Sequence, residues 1–220
     1  MKKTLLICTI ILALCGCKSN KADEPDKSYM TLVTYAGTDE ALQVSTFTYQ
    51  AIDDSPLVTL TANWVAGEEL TPGERVYLTY YADAYQVSGP VTIRNISPVI
   101  GWIPSESEGP IDLGNAKITP VTVWRSGPYI NARINAWITR DPVTVKFALD
   151  KLTAADPMPT YYLSVNQTNI NQIEAYNRSA TISYDIADVW NAATCQGVRI
   201  VYRDFDGNEA ALTLEKQQKD

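Results

Sequence analysis

The sequence of 220 residues contains no histidine. Histidine is the side chain used most often as a general base near neutral pH, and it is a frequent ligand of zinc. Its absence excludes Ser-His-Asp and Cys-His catalysis and leaves a carboxylate pair, a lysine base or a calcium site. We therefore predict that the protein is not an enzyme and that it carries no cofactor.

Cysteine is nearly absent from the body of the chain. Of the four cysteines, Cys8, Cys15 and Cys17 lie close to the beginning, and Cys195 stands alone. A single cysteine cannot form an internal disulfide, so the fold has to depend on its hydrophobic core. The simplest interpretation of Cys195 is a small, buried apolar side chain.

Long apolar runs are also missing, with one exception at the beginning of the chain. Leu5–Cys15 is apolar apart from Thr9, and Lys2 and Lys3 precede it. The run is shorter than the roughly 20 residues that span a bilayer. A positive segment followed by a short apolar one is typical of a signal peptide, which we predict for residues 1–16.

The end of the apolar run resembles the bacterial lipobox. In Leu14-Cys15-Gly16-Cys17 a small residue precedes a cysteine, although Cys15 stands where alanine, serine or threonine is more common. The resemblance implies that Cys17 becomes the first residue of the mature protein. It also implies that Cys17 carries the lipid chains that hold the protein to a membrane.

Residues 17–28 are predicted to be the lipidated cysteine and a flexible tether. The segment is polar, charged and interrupted by Pro25, so it cannot bury enough apolar surface to become ordered. Lys18 and Ser19 follow Cys17 in place of the aspartate that resembles an inner-membrane retention signal. We therefore expect a lipid anchor in the outer membrane, with the cell surface and the periplasmic face both open as locations.

Positive charge is in deficit. The full chain carries 18 basic and 25 acidic side chains, a formal net charge of −7. The signal peptide contains two lysines and no acidic residue, so the mature chain carries −9. Because an acidic field repels phosphate backbones, we expect no nucleic acid partner.

Strand signals dominate the first half of the chain after the tether. Runs rich in valine, isoleucine, threonine and tyrosine are bounded by turn residues such as Thr71-Pro72-Gly73-Glu74, which is the pattern of short strands. Five such runs in about seventy residues predict a small β-barrel. The predicted strands are Met30–Ala36, Leu42–Tyr49, Leu57–Ala62, Arg75–Tyr81 and Val91–Ile100.

A polar segment bounded by proline, Pro104–Pro110, interrupts this pattern, and we place a domain boundary there. Beyond it, about seven short strands predict an antiparallel β-sandwich. These are Lys117–Trp124, Tyr129–Ile138, Val143–Leu149, Tyr161–Val165, Ala180–Tyr184, Val198–Tyr202 and Ala211–Leu214. A short helical turn is predicted at Ile186–Trp190, and the Asp-Gly pair within Asp204–Asn208 predicts a hairpin between the last two strands.

This layout resembles the NigD-like lipoproteins of Bacteroidota. The segment SATISYDIADVW and the terminal hairpin VRIVYRDFDGNEAALTLE look like the closing region of that family. The resemblance implies an all-β protein with a small OB-like barrel domain at residues 29–104, followed by a β-sandwich domain at residues 110–216. The family carries a proposed link to bacteriocin immunity and offers no catalytic motif to match.

Acidic residues are the first candidates for a site. Asp204-x-Asp206-Gly207-Asn208 looks like part of a calcium loop, but the glycine follows the second acid and no helices flank it. We expect a hairpin turn and no metal. Asp53-Asp54 and Glu68-Glu69 are adjacent pairs whose side chains diverge, so we expect solvated loops and no catalytic pair.

Aromatic residues are the richer signal. Tyr77, Tyr80, Tyr81 and Tyr85 follow one another closely, and Trp124 lies on a strand predicted to neighbour the one that carries Trp137. Cross-strand packing is one explanation. A ligand face is the other, because alternation along that strand puts amides, a guanidinium and an indole on the side away from the core. The predicted ligand face is Asn131, Arg133, Asn135 and Trp137.

Three functions fit these features. The first is a non-catalytic binding or accessory module at the cell envelope, whose partner would be a glycan, a peptide or an envelope protein. The second, bacteriocin immunity, follows only from the family resemblance. The third is an enzyme built on carboxylates, which would require strongly raised carboxyl pKa values in a cleft. The lack of catalytic residues favours the first.

Overall fold

The computed structural model describes residues 27–65, 70–168 and 175–217, and within them it contains fourteen strands and one four-residue helix. The predicted signal peptide, Cys17 and Glu68-Glu69 lie outside these residues. The strands are β1 (Lys27–Asp39), β2 (Val44–Tyr49), β3 (Val58–Ala62), β4 (Arg75–Ala82), β5 (Gly89–Pro90), β6 (Thr92–Pro98), β7 (Ser105–Ser107), β8 (Lys117–Ser126), β9 (Tyr129–Ile138), β10 (Val143–Asp150), β11 (Thr160–Gln167), β12 (Tyr176–Asp185), β13 (Gly197–Arg203) and β14 (Glu209–Glu215). Helix α1 is Ala187–Trp190.

The first six strands form the predicted barrel. Their order in the sheet is β5-β3-β2-β1-β4-β6, and only Val91 separates β5 from β6 along the chain. Because this continuous segment pairs with β3 on one side and with β4 on the other, it joins the two edges of the sheet. The fold prediction of an all-β protein that begins with a barrel is confirmed.

The long strand β1 belongs to two strand pairs. Lys27–Thr34 pairs with β4, whereas Thr34–Asp39 pairs with β2, and a bulge between Tyr35 and Gly37 lies within the second stretch. A bulge bends a strand and increases its twist, which a small barrel needs in order to close. The barrel core consists of alternating inward residues: Val33, Tyr35, Phe47, Tyr49, Val58, Leu60, Val76, Leu78 and Tyr80.

The remaining strands form the sandwich. A sheet of three strands, β12-β9-β8, lies over a sheet of five, β14-β13-β11-β10-β7. Phe147 of β10 lies between the rings of Tyr161 and Tyr184, with centroid distances of 4.9 and 4.7 Å. Since Tyr184 belongs to the opposite sheet, this stack connects the two layers. The short helix and the terminal hairpin occupy the predicted positions.

Two pairs of the sandwich are parallel, which the prediction of an antiparallel sandwich did not include. Strand β11 pairs in parallel with β13, and β10 pairs in parallel with β7. Between β11 and β13 the chain crosses to the other sheet as β12, so β13 returns in the direction of β11. Strand β7 lies within the segment Pro104–Pro110, where the sequence predicted the domain boundary.

The barrel and the sandwich are joined by backbone hydrogen bonds. The Ile100 N–H donates to the Thr181 carbonyl at 3.2 Å, and the Ser183 N–H donates to the Ile100 carbonyl at 2.8 Å. The residue after Ile100 is Gly101, which has a φ of +129° and lies against the backbone of Ser183. The connection between the two parts therefore adds a short strand-like segment beside β12.

The helix α1 has only four residues, so the described part of the chain contains no helix able to cross a membrane.

Buried tyrosines give the fold a predicted sensitivity to alkali. Burial raises the pKa of six of them, namely Tyr49, Tyr80, Tyr161, Tyr162, Tyr184 and Tyr202. In the unfolded chain these hydroxyls would ionise near pH 10, whereas the folded protein keeps them protonated to higher pH. Their contribution to stability is therefore complete below about pH 10 and is lost above it.

We expect the free energy of unfolding in urea to fall steadily between about pH 9.5 and 11. Absorbance near 295 nm should show that these six hydroxyls ionise only together with unfolding. A rapid, reversible titration of all thirteen tyrosines without loss of folded circular dichroism would contradict the prediction.

Candidate functional site

A cavity of about 250 Å³ lies where the barrel meets the sandwich, and we name it the interdomain cavity. The barrel contributes most of its lining, and β8 of the sandwich closes one side. The residues that line it are Met30, Thr31, Leu32, Gln50, Ala51, Tyr77, Tyr85, Trp124 and Ser126.

The alternation of the strands explains why these side chains meet. Along β4, Val76 and Leu78 point into the barrel, so Tyr77 points outward, and its paired neighbour on β1 is Leu32. The Tyr77 hydroxyl lies 3.0 Å from the hydroxyl of Thr181 on the sandwich. Trp124 lies on the face of β8 that is turned away from the sandwich core. The cavity thus has an aromatic lining from both parts of the protein.

A buried arginine lies behind this cavity. Arg75 is only 3% exposed, and its guanidinium makes four hydrogen bonds of 3.2 to 3.4 Å. The acceptors are the hydroxyls of Thr34, Ser126 and Ser183 and the side-chain carbonyl of Asn131. The guanidinium also lies over the ring of Tyr129, 4.2 Å from its centroid. These partners come from both the barrel and the sandwich, so Arg75 holds the two parts together.

The partners of Arg75 are all neutral. Among residues 27–65, 70–168 and 175–217, no carboxylate lies within ion-pair distance of the guanidinium. Burial lowers its pKa to about 10, which is the direction expected for a cation that has been removed from water. A buried charge normally has a counter-charge, because desolvation is costly. Among the described residues Arg75 therefore has no counter-charge, and its guanidinium lies behind the cavity lining, 3.4 Å from the hydroxyl of Ser126.

A second arginine fixes the join at another point. Arg125 donates to the carboxylate of Asp54 at 2.7 Å, and the carboxylate of Asp53 lies 3.7 Å from its Nε. The Asp53 N–H also donates to the Arg125 carbonyl at 2.8 Å. The sequence predicted a solvated loop at Asp53-Asp54, whereas the structure uses both acids to connect the barrel to the sandwich. Arg125 in turn lies over the ring of Trp190.

The predicted ligand face divides into a buried end and an accessible end. Asn131 is 0% exposed, because the barrel covers this end of the three-stranded sheet, so its place in the predicted ligand face is wrong. Arg133, Asn135 and Trp137 continue along the open part of the same side of the sheet. We name these three residues the outer face. Whether the outer face binds a ligand stays a prediction.

Trp137 is the largest residue of the outer face and is 39% exposed. Its ring meets that of Phe205 edge to face at 6.4 Å, and the ammonium of Lys117 lies 5.9 Å from the Phe205 centroid. Phe205 belongs to the hairpin between β13 and β14. The open end of the outer face therefore has an aromatic pair with a cation beside it, at the opposite end of the sheet from Arg75.

The tyrosines that the sequence grouped together separate into different environments. Tyr80 is part of the barrel core, whereas Tyr77 and Tyr85 line the interdomain cavity together with Trp124. Tyr81 lines a second cavity of about 550 Å³ at the barrel, beside Trp64. This barrel cavity is the larger of the two. None of the described residues that line either cavity is basic, and the interdomain cavity differs in that its lining residue Ser126 accepts a hydrogen bond from the buried Arg75.

The Asp204–Asn208 segment is the predicted hairpin turn. The Asp204 carboxylate accepts the Asn208 N–H at 2.8 Å, and the Gly207 N–H donates to the Asp204 carbonyl at 3.1 Å. Gly207 has a φ of +89°, which its lack of a side chain permits. Within the described residues, the acidic and cysteine side chains form no group of three that could hold a metal ion.

Sequence reasoning missed the most unusual residues of the site. From the sequence alone, Arg75 at the start of a strand is expected to be a solvated cation. Ser126 and Ser183 are expected to be ordinary polar residues near the ends of strands. Arg75, Ser126 and Ser183 come into contact only because the barrel packs on the sandwich. No local sequence pattern encodes that packing. The only signal in the sequence was the outward position that Arg75 shares with Tyr77 on β4.

The fold and the site define a two-part all-β protein, in which a closed barrel and a β-sandwich meet at an aromatic cavity. Neither a family model nor a curated protein matches the sequence. Solved structures do share the fold, as the resemblance in the sequence predicted. They come from Bacteroides and Parabacteroides, and the likeness covers most of each chain.

A protein provisionally named as toxin-related, from Parabacteroides distasonis, has a TM-score of 0.63 and 13% identity, covering 86% of this chain and 93% of its own. A provisionally named lipoprotein from Bacteroides fragilis has a TM-score of 0.63 and 12% identity, with 88% and 100% covered. A NigD-like immunity protein from Bacteroides caccae has a TM-score of 0.58 and 16% identity, with 87% and 98% covered.

Proposed function

We propose that the protein is a non-catalytic binding module of the cell envelope and that the interdomain cavity is its primary ligand site. The observation that carries this proposal is the meeting of Tyr77, Tyr85 and Trp124 around a concave space between the barrel and the sandwich. Ligand sites occur preferentially between domains, with an apolar lining and a few placed polar groups. The outer face beyond it would extend the contact to larger ligands.

The absence of histidine supports a role in binding over one in catalysis. The two acidic residues that come together, Asp53 and Asp54, are occupied by the interdomain ion pairs with Arg125. A paired-carboxylate mechanism needs one acid whose proton affinity differs strongly from that of its partner, in a cleft that admits substrate. These two acids have instead a structural task. Glycans, peptides and envelope proteins remain the proposed classes of partner.

The first experiment is a binding screen with substitutions that separate the two surfaces. The mature chain with Cys17→Ser would be tested against immobilised envelope glycans and peptides. We expect Trp124→Ala to reduce binding at least about tenfold if the interdomain cavity is the site. Trp137→Ala tests the outer face, and Tyr176→Ala is the control, because Tyr176 is exposed on β12.

Melting temperatures decide how that screen is interpreted. Trp137 is partly exposed, so we expect its substitution to change the melting temperature by only a few degrees. Loss of a ligand at unchanged melting temperature would support the outer face as a site, whereas a large loss of stability would show that Trp137 only packs against Phe205. If no glycan, peptide or envelope protein binds, the proposed binding function is wrong.

The proposed location is the outer membrane, with the lipid on Cys17 as the anchor. The lipobox supports it, as does the shared fold with a provisionally named lipoprotein from Bacteroides fragilis. We expect Cys17→Ser to abolish labelling by a fatty-acid analogue and to move the protein from the membrane to the soluble fraction. Unchanged labelling of the variant would contradict the anchor. Protease treatment of intact cells then separates the cell surface from the periplasm.

Bacteriocin immunity is the second candidate. It is favoured by the fold shared with a NigD-like immunity protein and with a toxin-related protein. This function predicts that deletion makes the cell sensitive to a specific bacteriocin and that the wild-type gene restores resistance. A binding module for glycans predicts neither effect. The deletion strain therefore separates the two candidates directly.

A further inference from the structure

We propose that the interdomain cavity binds an acidic sugar, whose carboxylate accepts a hydrogen bond from the Ser126 hydroxyl in front of Arg75. The proposal rests on the proposed binding function and adds the chemical class of the ligand. Two independent features lead to it: an unused hydroxyl proton at the cavity wall and an unbalanced positive charge behind it.

The hydroxyl of Ser126 is a donor without an acceptor. Its oxygen accepts one hydrogen bond from Asn131 Nδ2 at 2.9 Å and another from Arg75 Nη2 at 3.4 Å. A serine oxygen has two lone pairs and one proton, so these two bonds use both lone pairs and leave the proton to be donated. Among the described residues, no acceptor takes this proton. Ser126 is only 5% exposed, but it is one of the residues that line the interdomain cavity, and this is the side from which an acceptor on a ligand would approach it.

The neighbouring side chains hold this arrangement in one orientation. The Asn131 amide oxygen accepts from the Ser183 hydroxyl at 2.8 Å and from Arg75, so its nitrogen has to point toward Ser126. The Ser183 oxygen accepts from Arg75 Nε at 3.2 Å. Arg75, Asn131 and Ser183 can keep these donor and acceptor roles only if the hydroxyl proton of Ser126 points away from all three side chains. The donor is therefore set in place before any ligand arrives.

The charge behind the hydroxyl selects an anion. Arg75 has five N–H groups, four hydrogen bonds to neutral acceptors, and no carboxylate partner in the described parts of the chain. A carboxylate at Ser126 would lie one hydroxyl away from this guanidinium, where the low dielectric strengthens their attraction. The hydroxyl is also polarised by the cation, which makes it a stronger donor.

The remaining lining suits a sugar ring. Tyr77, Tyr85 and Trp124 offer aromatic side chains, against which the C–H groups of a pyranose can stack. The volume of about 250 Å³ lies just below the usual range of ligand pockets. A single ring with one carboxylate fits these dimensions better than a longer polymer segment.

Calorimetry with glucuronate and glucose tests the proposal, because the two sugars differ only at C6, which is a carboxylate in glucuronate and a hydroxymethyl group in glucose. The protein is the mature chain with Cys17→Ser. We expect glucuronate to bind at least about tenfold more tightly than glucose, and we expect this preference to shrink at high salt. In Ser126→Ala, which removes the donor with a minimal change of volume, glucuronate should approach the affinity of glucose. Ser179→Ala on the exposed end of β12 is the control and should change neither affinity.

The outcomes separate this proposal from the general binding function. Equal affinity for the two sugars, or an unchanged preference in Ser126→Ala, would overturn the acidic-sugar proposal. Tighter binding of a short peptide through its terminal carboxylate would overturn the sugar assignment. If other envelope glycans bind through Trp124 while glucuronate does not, the proposed function survives and this proposal fails. If nothing binds in any assay, both are wrong.

Discussion

Replacing Phe147 by alanine is expected to lower the free energy of unfolding by about 3 to 5 kcal/mol. The ring is 1% exposed and lies between the rings of Tyr161 and Tyr184, so it touches both sheets of the sandwich. Alanine would leave a cavity that neither sheet can fill without moving away from its own hydrogen-bonded neighbours. Urea unfolding followed by circular dichroism measures this loss directly.

Phe205→Ala provides a matched control, because it removes the same side chain from an exposed position. Phe205 is 55% exposed in the terminal hairpin, and we expect its loss to cost about 1 kcal/mol or less. Similar losses for the two variants would contradict the assignment of Phe147 to the connection between the sheets. A Phe147→Leu variant should fall between them, since leucine fills part of the space.

Replacing Gly101 by alanine is expected to cost about 2 to 5 kcal/mol, through two separate effects. The new Cβ would lie 2.2 Å from the carbonyl oxygen of Ser183, closer than any non-bonded contact allows. The φ of +129° is in addition unfavourable for alanine. To relieve the contact, the Ile100–Trp102 segment has to separate from β12.

The same change should affect the proposed ligand site. Ser183 contacts Arg75 and Asn131, so displacement of its backbone would disturb the groups behind the interdomain cavity. Gly109→Ala is the control: its φ is +103°, but the nearest atom to a new Cβ is 3.9 Å away. We expect about 1 to 2 kcal/mol for that variant. A cost at Gly101 no greater than at Gly109 would show that β12 and the connection are not tightly joined.

The local structure of this protein could be predicted from its sequence because it depends on neighbours in the chain. Alternation with a period of two located the strands, and Thr71–Glu74 and Asp204–Asn208 contain the residues that tight turns require. The position of the short helix followed from the same reading. Predicting these features requires no information about which elements pack against each other in the fold.

The features that depend on distant contacts could not be predicted. Closure of the barrel requires Gly89–Pro98 to reach two strands at once, and the parallel pairs of the sandwich depend on which sheet each strand joins. The burial of Asn131 shows the same limit within the site. Its position on β9 was read correctly from alternation, but the barrel that covers it lies far away in the sequence.

The beginning of β1 has a consequence for how a ligand would reach the protein. Lys27 opens the strand, and Met30, three residues later, already lines the interdomain cavity. Lys27 lies ten positions after Cys17 in the sequence, and a chain segment of that length extends at most about 35 Å. Under the proposed lipid anchor, the cavity would stay within a few nanometres of the headgroups. Free monosaccharides, and the ends of polysaccharide chains that extend to the bilayer, could then enter the interdomain cavity. The middle of a stiff polysaccharide could not reach it.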